Sequence, residues 1–293
     1  MANKVLILGS QGNLGSQLEI IFNQDKNYKV VSWDKKDLDI TNEKEMDAKI
    51  VQLRPDVIIN ASAYNAVDEC EKNKKEFKLA SFINGTAVGA LAETAKKIKA
   101  LFIHYSTDYV FDGNKKEGYR EDDIPNPINK YGETKLLGEK LIQKIKDKNF
   151  KYYIIRTSKL FGQPGKSEFS KKSFFDIMLE LGERSEFSKK EIAVVNEEVS
   201  CFTYTKDLAR ATKNLLSLNK KKGVYHITNN FPCTWYEAAE ILFKIVGKKI
   251  KIKSVKSDFF PRPARRPKYS ILLNTKVEPL RSWPDALEEY LTN

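Results

Sequence analysis

Short apolar runs alternate with helical patterns along the first half of the chain. Lys4 to Leu8, Tyr28 to Trp33, Val57 to Ile59, Ala100 to Ile103 and Tyr152 to Arg156 have the length and character of strands. Nearly continuous apolar strands are typical of a parallel sheet that is covered on both faces. Because helical patterns separate these strands, the order predicts an α/β fold with a doubly wound parallel sheet and right-handed crossovers.

A glycine loop follows the first strand. Gly9, Gly12 and Gly15 have the spacing G-x-x-G-x-x-G and stand between that strand and a helical pattern. In a dinucleotide loop the first glycine allows the turn, the second lets the pyrophosphate approach, and the third lets helix and strand pack closely. We therefore expect the loop, including Asn13 and Leu14 at the helix N-terminus, to bind a nucleotide cofactor. A tight structural turn is the alternative.

An acidic residue ends the second strand. Asp34 lies about 20 residues beyond the last glycine, where a carboxylate can accept hydrogen bonds from the adenosine ribose. Lys35 and Lys36 follow directly and would suit a 2′-phosphate, so NADH and NADPH both stay open. Asp39 and Ile40, in the loop entering the next helix, are further cofactor candidates.

Small residues follow the third strand. At the carboxyl end of a central strand they leave room for a ligand across the sheet edge. Close packing of a helix on the strand would explain them as well. A helical stretch from about Phe77 to Lys97 comes next. The cofactor candidates in this part of the chain are Ala61, Ser62, Ala63, Tyr64 and Asn84.

A phenol and an ammonium are spaced for one helix face. Tyr131 and Lys135 are one turn apart at the start of a helical pattern, and Thr107 stands where the fourth strand ends. A nearby cation favours phenolate, so we expect Lys135 to lower the pKa of Tyr131 toward the range useful for acid catalysis. A surface pair on an amphipathic helix is the alternative interpretation.

The second half of the chain predicts a smaller C-terminal lobe. Ile192 to Val195 and a helix from Thr205 to Leu216 are expected to return to the main sheet, whereas residues 163–172 form a polar, mobile loop. Val224 to Ile227, a helix from Trp235 to Val246 and the tail from Asp258 would complete the lobe. The predicted division is a Rossmann domain of residues 1–160 with 191–218, and a substrate lobe of residues 161–190 and 219–293.

Composition adds limits on partners and compartment. The 293 residues include 51 Lys and Arg against 39 Asp and Glu, a net charge of +12. The basic residues are scattered among acids, which indicates a solvated surface that favours an anionic ligand and argues against nucleic acid. No apolar run reaches the ~18 to 20 residues of a membrane span. Three widely spaced cysteines and no export signal predict a cytoplasmic protein without a metal-binding pattern.

The motifs together resemble a known family. GSQGNLGSQL, INASAYNAVDECE, STDYVFDG, YGETKLLGE, YHITNNFPCTWYEAA and PARRPKYSILL are similar to segments of the dTDP-4-dehydrorhamnose reductases, which are extended short-chain dehydrogenases/reductases. The similarity covers nearly the whole chain. The resemblance implies reduction of the C4 ketone of a dTDP-4-keto-6-deoxy sugar by NADPH or NADH.

The resemblance also implies residue roles. Thr107, Tyr131 and Lys135 would be catalytic: Tyr131 protonates the developing alkoxide, Thr107 hydrogen-bonds the same oxygen, and Lys135 also holds the nicotinamide ribose. Tyr131 and Lys135 are thus cofactor residues as well. A homodimer and a Mg²⁺ ion are further expectations that rest on the resemblance alone. The substrate-binding candidates are Val67, Asp68, Thr107, Asp108, Tyr109, Lys159 and Arg266.

Departures from the family pattern fall on the substrate side. Lys159 replaces a tryptophan that stacks near the sugar in the family, so either a cation suits a more acidic or larger substrate or Lys159 points outward. Residues 197–203 lack the glycine and proline of the corresponding segment, and the spacing between Phe161 and Phe174 is expanded. Tyr109 stands where related dehydratases have glutamate, so elimination is not expected.

Two alternatives stay open at this point. The regulatory subunit of methionine adenosyltransferase resembles the same family and is not catalytic, and a sugar-nucleotide epimerase would retain its NAD.

Overall fold

The chain alternates strands and helices in the order expected from its hydrophobic pattern. The computed structural model describes residues 2–168 and 170–292. The strands are β1 (Asn3–Leu8), β2 (Tyr28–Trp33), β3 (Val57–Asn60), β4 (Leu101–Thr107), β5 (Tyr152–Thr157), β6 (Leu160–Phe161), β7 (Ile192–Val195), β8 (Thr203–Tyr204), β9 (Gly223–His226) and β10 (Ile252–Val255). The helices are α1 (Asn13–Asn23), α2 (Glu43–Leu53), α3 (Val67–Lys72), α4 (Lys74–Ser81), α5 (Ala87–Lys97), α6 (Lys130–Lys144), α7 (Phe174–Ser188), α8 (Thr205–Ser217), α9 (Trp235–Ile245) and α10 (Trp283–Thr292).

A six-stranded parallel sheet forms the centre of the molecule. Its strand order is β2-β1-β3-β4-β5-β9, and every neighbouring pair is parallel. The order reverses at β1 and β3, which is the switch point where open α/β sheets bind ligands beyond their carboxyl ends. The predicted fold class is confirmed.

Helices cover both faces of this sheet. Leu6, Ile58 and Phe102 pack with residues of α2 and α5 on one face, whereas Ile7 and Ile155 pack with α1 and α8 on the other. All five side chains are fully buried. Burial of each such side chain stabilises the fold by roughly 1.5–3 kcal/mol, so the two-sided apolar pattern of the strands fixes their central position.

Two strands differ from the sequence-based assignment. Ile192–Val195 (β7) pairs with β10 in a separate two-stranded sheet and does not return to the main sheet. Gly223–His226 (β9), expected in the lobe, is instead the edge strand beside β5. A four-residue apolar run predicts burial but carries no information about which strand lies beside it. The helix α8 packs against the main sheet as expected. The division into two domains stays a prediction.

A second apolar cluster lies around Trp283, Phe175 and Phe202. It joins α7, α9 and α10 with the short β6–β8 pair. Within the described ranges, no helix is long and apolar enough to cross a membrane.

Candidate functional site

The glycine loop between β1 and α1 is closed by contacts that only glycine permits. Gly9 has a φ of +72°, and a Cβ there would lie 2.8 Å from the backbone nitrogen of Ser62. A Cβ on Gly15 would lie 2.1 Å from the carbonyl oxygen of Gly9. Gly12 precedes α1 without a side-chain cap. The first N–H groups of α1, which have no intrahelical acceptor, are therefore available to a phosphate.

Residues 163–168 and 170–172 lie against the glycine loop. The amide of Gly165 donates to Asn13 Oδ1 at 3.1 Å, and Asn13 Nδ2 donates to the Lys171 carbonyl at 3.1 Å. The amide of Ser167 donates to the Gln11 carbonyl at 2.9 Å. The additional residues between Phe161 and Phe174 thus lie over the predicted cofactor-binding loop. They form hydrogen bonds with both polar atoms of the Asn13 side chain.

The candidate ribose carboxylate stands beside the glycine loop. The amides of Gly9 and Ser10 both donate to the carbonyl of Trp33, the residue before Asp34. Asp39 is turned inward on Thr41, whose amide and hydroxyl donate to Asp39 Oδ1 at 2.9 and 2.7 Å. Ile40 is buried in the core of the sheet. The sequence predicts that Asp34, Asp39 and Ile40 all bind the cofactor. In the structure, however, Asp39 stabilises a local turn and Ile40 packs in the core.

The residues after β3 are held by an amide on a π-helical turn. Asn84 lies in the π-helical turn Phe82–Thr86, which joins α4 to α5 where the sequence predicts one continuous helix. Its Oδ1 accepts from the Tyr64 amide at 2.9 Å and its Nδ2 donates to the Tyr64 carbonyl at 2.9 Å. The same Nδ2 donates to Thr134 Oγ1 at 3.0 Å. Asn84 therefore links the segment Ala61–Tyr64 to helix α6.

Thr107, Tyr131 and Lys135 meet at the carboxyl edge of the sheet. Thr107 ends β4, and Tyr131 and Lys135 lie on the first turns of α6, whose first turn is capped by the Asn129 side chain. The Tyr131 hydroxyl donates to Asn65 Oδ1 at 3.4 Å. All three side chains are buried. The sequence-predicted trio is brought together.

The pKa of Tyr131 differs from the expectation. Burial raises it, the Asp108 carboxylate adds to the rise, and a hydrogen bond with Thr107 lowers it only in part. The prediction that Lys135 lowers the pKa of Tyr131 is therefore wrong for the protein without ligands. The ammonium of Lys135 is directed elsewhere, since Nζ donates to the Tyr105 carbonyl at 2.6 Å. The phenol accordingly holds its proton at neutral pH.

Behind Lys135 lies a buried histidine that the sequence analysis missed. Asn60 Oδ1 accepts from both the amide and the hydroxyl of Ser62, so Asn60 Nδ2 faces His104 Nδ1 at 3.3 Å. His104 Nδ1 is then an acceptor, and the Nε2–H points at Lys135 Nζ, 3.4 Å away. Burial lowers the pKa of both His104 and Lys135, that of Lys135 to about 8. Burial thus makes the Lys135 ammonium lose its proton more readily than an exposed lysine does.

A buried ion pair connects α6 to β5. Arg156 Nη2 donates to Glu139 Oε2 at 2.7 Å, and Ser106 Oγ donates to Glu139 Oε1. Arg156 Nη1 lies 3.3 Å from His226 Nε2, and His226 Nδ1 lies 3.1 Å from the Tyr119 carbonyl. Burial and Arg156 lower the pKa of His226 to about 3, so its ring is neutral. This network also escaped prediction, because its members lie far apart in sequence.

The C-terminal tail contacts the predicted substrate-binding residues. Ser270 Oγ donates to Asp108 Oδ2 at 2.6 Å, and burial raises the pKa of Asp108 to about 6. Arg266 Nη1 and Nη2 donate to the two oxygens of Asp68 at 3.0 and 2.7 Å. The Arg266 guanidinium lies 6.0 Å from the ring centre of Tyr109. Val67 begins α3 beside Asp68. The substrate candidates on α3 and the tail are thus joined.

Lys159 points into the lobe, which excludes the outward alternative. Its Nζ is buried and lies 3.7 Å from the ring centre of Trp235 and 5.0 Å from that of Phe202. Burial lowers the pKa of Lys159 to about 8.

The segment 197–203 lines the same region. Glu198 Oε2 accepts from Trp235 Nε1 at 3.0 Å, and Arg262 pairs with the same carboxylate. Ser200 pairs with Cys233, and the Cys201 carbonyl accepts from Ser158 Oγ at 2.6 Å. Residues 197–203, predicted to depart from the family pattern, therefore pack around Lys159 and Trp235.

Other features carry no predicted site residue. Two surface cavities of about 350 and about 520 Å³ lie next to α8 and on the outer face of α6. Among residues 2–168 and 170–292, no cluster of three or more His, Cys, Asp or Glu could hold a metal ion. The expectation of Mg²⁺ stays a prediction.

The sequences of known proteins are similar to this chain over nearly its full length. The spore coat polysaccharide biosynthesis protein SpsK of Bacillus subtilis (strain 168) is 36% identical over 293 residues, which cover 98% of this chain and 96% of that protein. The dTDP-4-dehydrorhamnose reductase of Aggregatibacter actinomycetemcomitans is 34% identical over 287 residues, covering 94% of this chain and 92% of the enzyme.

A solved structure shows the same architecture. The crystal structure of dTDP-4-dehydrorhamnose reductase from Bacillus anthracis str. Ames, in complex with NADP, superposes with a TM-score of 0.90. It is 34% identical and covers 100% of this chain and 99% of its own. The model of the RmlD substrate binding domain family matches residues 3–293. With its extended short-chain dehydrogenase/reductase fold and its glycine loop, the chain belongs to the RmlD substrate binding domain family, whose relatives are NAD(P)H-dependent oxidoreductases.

Proposed function

We propose that this protein reduces the C4 ketone of dTDP-4-dehydrorhamnose with NAD(P)H, forming dTDP-L-rhamnose for polysaccharide synthesis. The observation that carries the proposal is the meeting of the Thr107 and Tyr131 hydroxyls at the sheet edge that also bears the glycine loop. Relatives with this activity match almost the whole chain.

The cofactor side of the cleft fits a dinucleotide. Gly9 and Gly15 hold the loop in a shape that a Cβ would destroy, and the N-terminus of α1 offers N–H groups to the phosphates. Asp34 would accept hydrogen bonds from the adenosine ribose, and Lys135 would donate to the nicotinamide ribose. When bound, the cofactor supplies the hydride.

Tyr131 is the proposed proton donor. Burial keeps its phenol protonated at neutral pH, so the proton is available to the C4 oxygen as negative charge develops there. Thr107 Oγ donates to Asp108 Oδ1 at 3.0 Å in the protein by itself. It would turn this proton to the same substrate oxygen, which stabilises the charge in a site shielded from water.

The substrate-binding roles of Val67, Asp68, Asp108, Tyr109 and Arg266 are part of the proposal. The salt bridge between Arg266 and Asp68 supports them, because it holds the tail beside α3 and Tyr109.

The test is a turnover assay with dTDP-4-dehydrorhamnose and either NADPH or NADH. We expect oxidation of the reduced nicotinamide together with formation of dTDP-L-rhamnose. Conversion of the substrate to an isomeric 4-keto sugar nucleotide, without net oxidation of the nicotinamide, would indicate an epimerase, and no turnover with either cofactor would overturn the proposal. A homodimer and a cytoplasmic location are further parts of the proposal, and sedimentation equilibrium of the purified chain tests the dimer.

A further inference from the structure

Lys159 has an unusual backbone conformation for its position. Its φ is +42°, in the left-handed region. Five other non-glycine residues among those described have a positive φ. Four of them, Arg54, Lys99, Lys189 and Asn219, follow the ends of helices, where this conformation commonly terminates the helix, and the fifth, Phe231, lies in a loop. Lys159 instead follows strand β5. Strained backbone that does not end a helix is concentrated at binding and catalytic sites, because the surrounding structure must enforce it.

The ammonium of Lys159 lacks an acceptor. Nζ is buried and has no hydrogen-bond partner among the described residues. Its contacts are the faces of Trp235 and Phe202, at 3.7 and 5.0 Å from the ring centres. Aromatic faces attract the positive charge, but they do not replace the directional acceptors that three N–H donors require.

Nearby carboxylates are committed to other groups. Asp108 accepts from the hydroxyls of Thr107 and Ser270, at 3.0 and 2.6 Å. Glu198 accepts from Trp235 Nε1 and pairs with Arg262. Both act on Lys159 only through their electrostatic field. The field therefore holds the cation in place, while its hydrogen-bonding capacity is left for another partner.

The position of Lys159 puts this capacity next to the catalytic edge. Asp108, which feels the charge of Lys159, directly follows Thr107. Lys159 as a whole residue is partly exposed, although its Nζ is buried. Rotation about the side-chain torsions would turn the ammonium from the Trp235 face toward a ligand in the cleft.

We propose that Lys159 binds an anionic oxygen of the nucleotide-sugar substrate, either on the diphosphate or on a carboxylate carried by the sugar. This inference rests on the proposed function, since it names the class of group that the same cleft selects. It gives the substitution of the family's tryptophan by lysine a chemical purpose: a flat apolar wall becomes a charged donor.

The test compares Lys159→Met with Lys159→Arg in the full chain. Lys99→Met is the matched control, because Lys99 also has a left-handed backbone but is exposed beyond α5. Binding of thymidine, dTDP, dTDP-glucose, UDP-glucose and UDP-glucuronate is measured by titration calorimetry in the presence of NADP⁺. Turnover of dTDP-4-dehydrorhamnose is measured in parallel.

A charged hydrogen bond predicts a loss of about 10- to 100-fold in affinity for the anionic partner. If the diphosphate is bound, Lys159→Met weakens dTDP and dTDP-glucose equally and leaves thymidine unchanged. If a sugar carboxylate is bound, only the preference for UDP-glucuronate over UDP-glucose disappears. In both cases Lys159→Arg retains most of the affinity and Lys99→Met behaves as the parent chain.

Unchanged affinity of Lys159→Met for all five probes overturns the inference. If the parent chain still reduces dTDP-4-dehydrorhamnose, the proposed function stands without it. If the parent chain reduces no keto sugar but loses anion binding on Lys159→Met, the proposed function fails and the anion site stands.

Discussion

Lys135 and Lys159 show how differently the two sides of the cleft are built. Burial lowers the pKa of each lysine to about 8. Lys135 has a carbonyl acceptor at 2.6 Å and a histidine behind it, whereas Lys159 rests on aromatic rings without an acceptor. The polar side chains around Lys135 thus find partners within the protein. The substrate side, around Lys159 and residues 197–203, keeps an unfilled hydrogen-bonding requirement.

The difference follows from the tasks of the two sides. A proton donor and its neighbours must be held in one geometry, so polar groups there satisfy one another. A side that selects a substrate gains specificity when its polar groups are satisfied by the correct ligand alone, because a wrong ligand then leaves them unpaired.

The largest predicted effect tests the cofactor side. Tyr131→Phe removes the proposed proton donor and is expected to lower turnover of dTDP-4-dehydrorhamnose by about 10²- to 10⁴-fold, since that is the usual contribution of a positioned acid. Calorimetry should show NADPH binding unchanged. Tyr152→Phe, at the opposite end of the sheet, is the control and should turn over like the parent chain. Turnover of Tyr131→Phe close to that of the parent would place the donor elsewhere.

The buried ion pair behind Lys135 gives the next largest effect. Glu139→Gln leaves Arg156 buried without a counter-charge, which is expected to destabilise the fold by about 3 kcal/mol. A lower urea midpoint at unchanged slope measures this loss. Glu133→Gln, exposed on the same helix, should leave the midpoint unchanged. Equal midpoints for both variants would mean that the network does not stabilise the cofactor side.

The unpaired lysine predicts a pH-dependent stability. The pKa of Lys159 falls from 10.5 to about 8 on folding, so between these values the unfolded chain binds more protons and this residue's contribution to stability rises with pH. Lys159→Met should therefore be more stable than the parent at pH 7, by about 3 kcal/mol, and the gain should shrink as pH rises through 8. Urea unfolding at several pH values checks this. A gain that is independent of pH would show that packing, not charge, separates the two chains.

The glycine loop predicts the smallest effect. A Cβ on Gly12 would meet only the Gly9 carbonyl oxygen, at 3.3 Å, whereas one on Gly15 would meet it at 2.1 Å. Gly12→Ala should weaken NADPH binding about tenfold (about 1.4 kcal/mol) at an unchanged melting temperature, because the methyl group stands where the pyrophosphate approaches. Gly15→Ala should lower both the NADPH affinity and the melting temperature. If Gly12→Ala binds NADPH as tightly as the parent chain, the phosphates do not bind at this loop.

Sequence reasoning succeeds where local spacing carries the information. The glycine loop and the pair Tyr131–Lys135 depend on residues within one turn or one loop, and the structure places them at the same sheet edge. The main strands are recognisable because burial on both faces demands continuous apolar residues.

The features of the site that the sequence did not predict depend on residues that lie far apart in the chain. Asn60 and His104 occupy ordinary strand positions, and only the parallel pairing of β3 with β4 brings them together. From the sequence, Glu139 is an ordinary polar position on an amphipathic helix, and only the structure shows its ion pair with Arg156. The pKa of Tyr131 was expected from its neighbour on the helix, but burial, a property of the whole fold, determines its direction.

The Ser270–Asp108 hydrogen bond has a consequence for the order in which the site forms. The two residues are 162 positions apart, and the salt bridge from Arg266 to Asp68 spans 198. Contacts at such separations form late in folding, because the intervening chain must first be ordered. During synthesis the catalytic strand is complete long before the tail leaves the ribosome. A chain that stops short of the tail would have its sheet and its glycine loop, but it would lack the partners of Asp108 and Asp68 in the proposed substrate site.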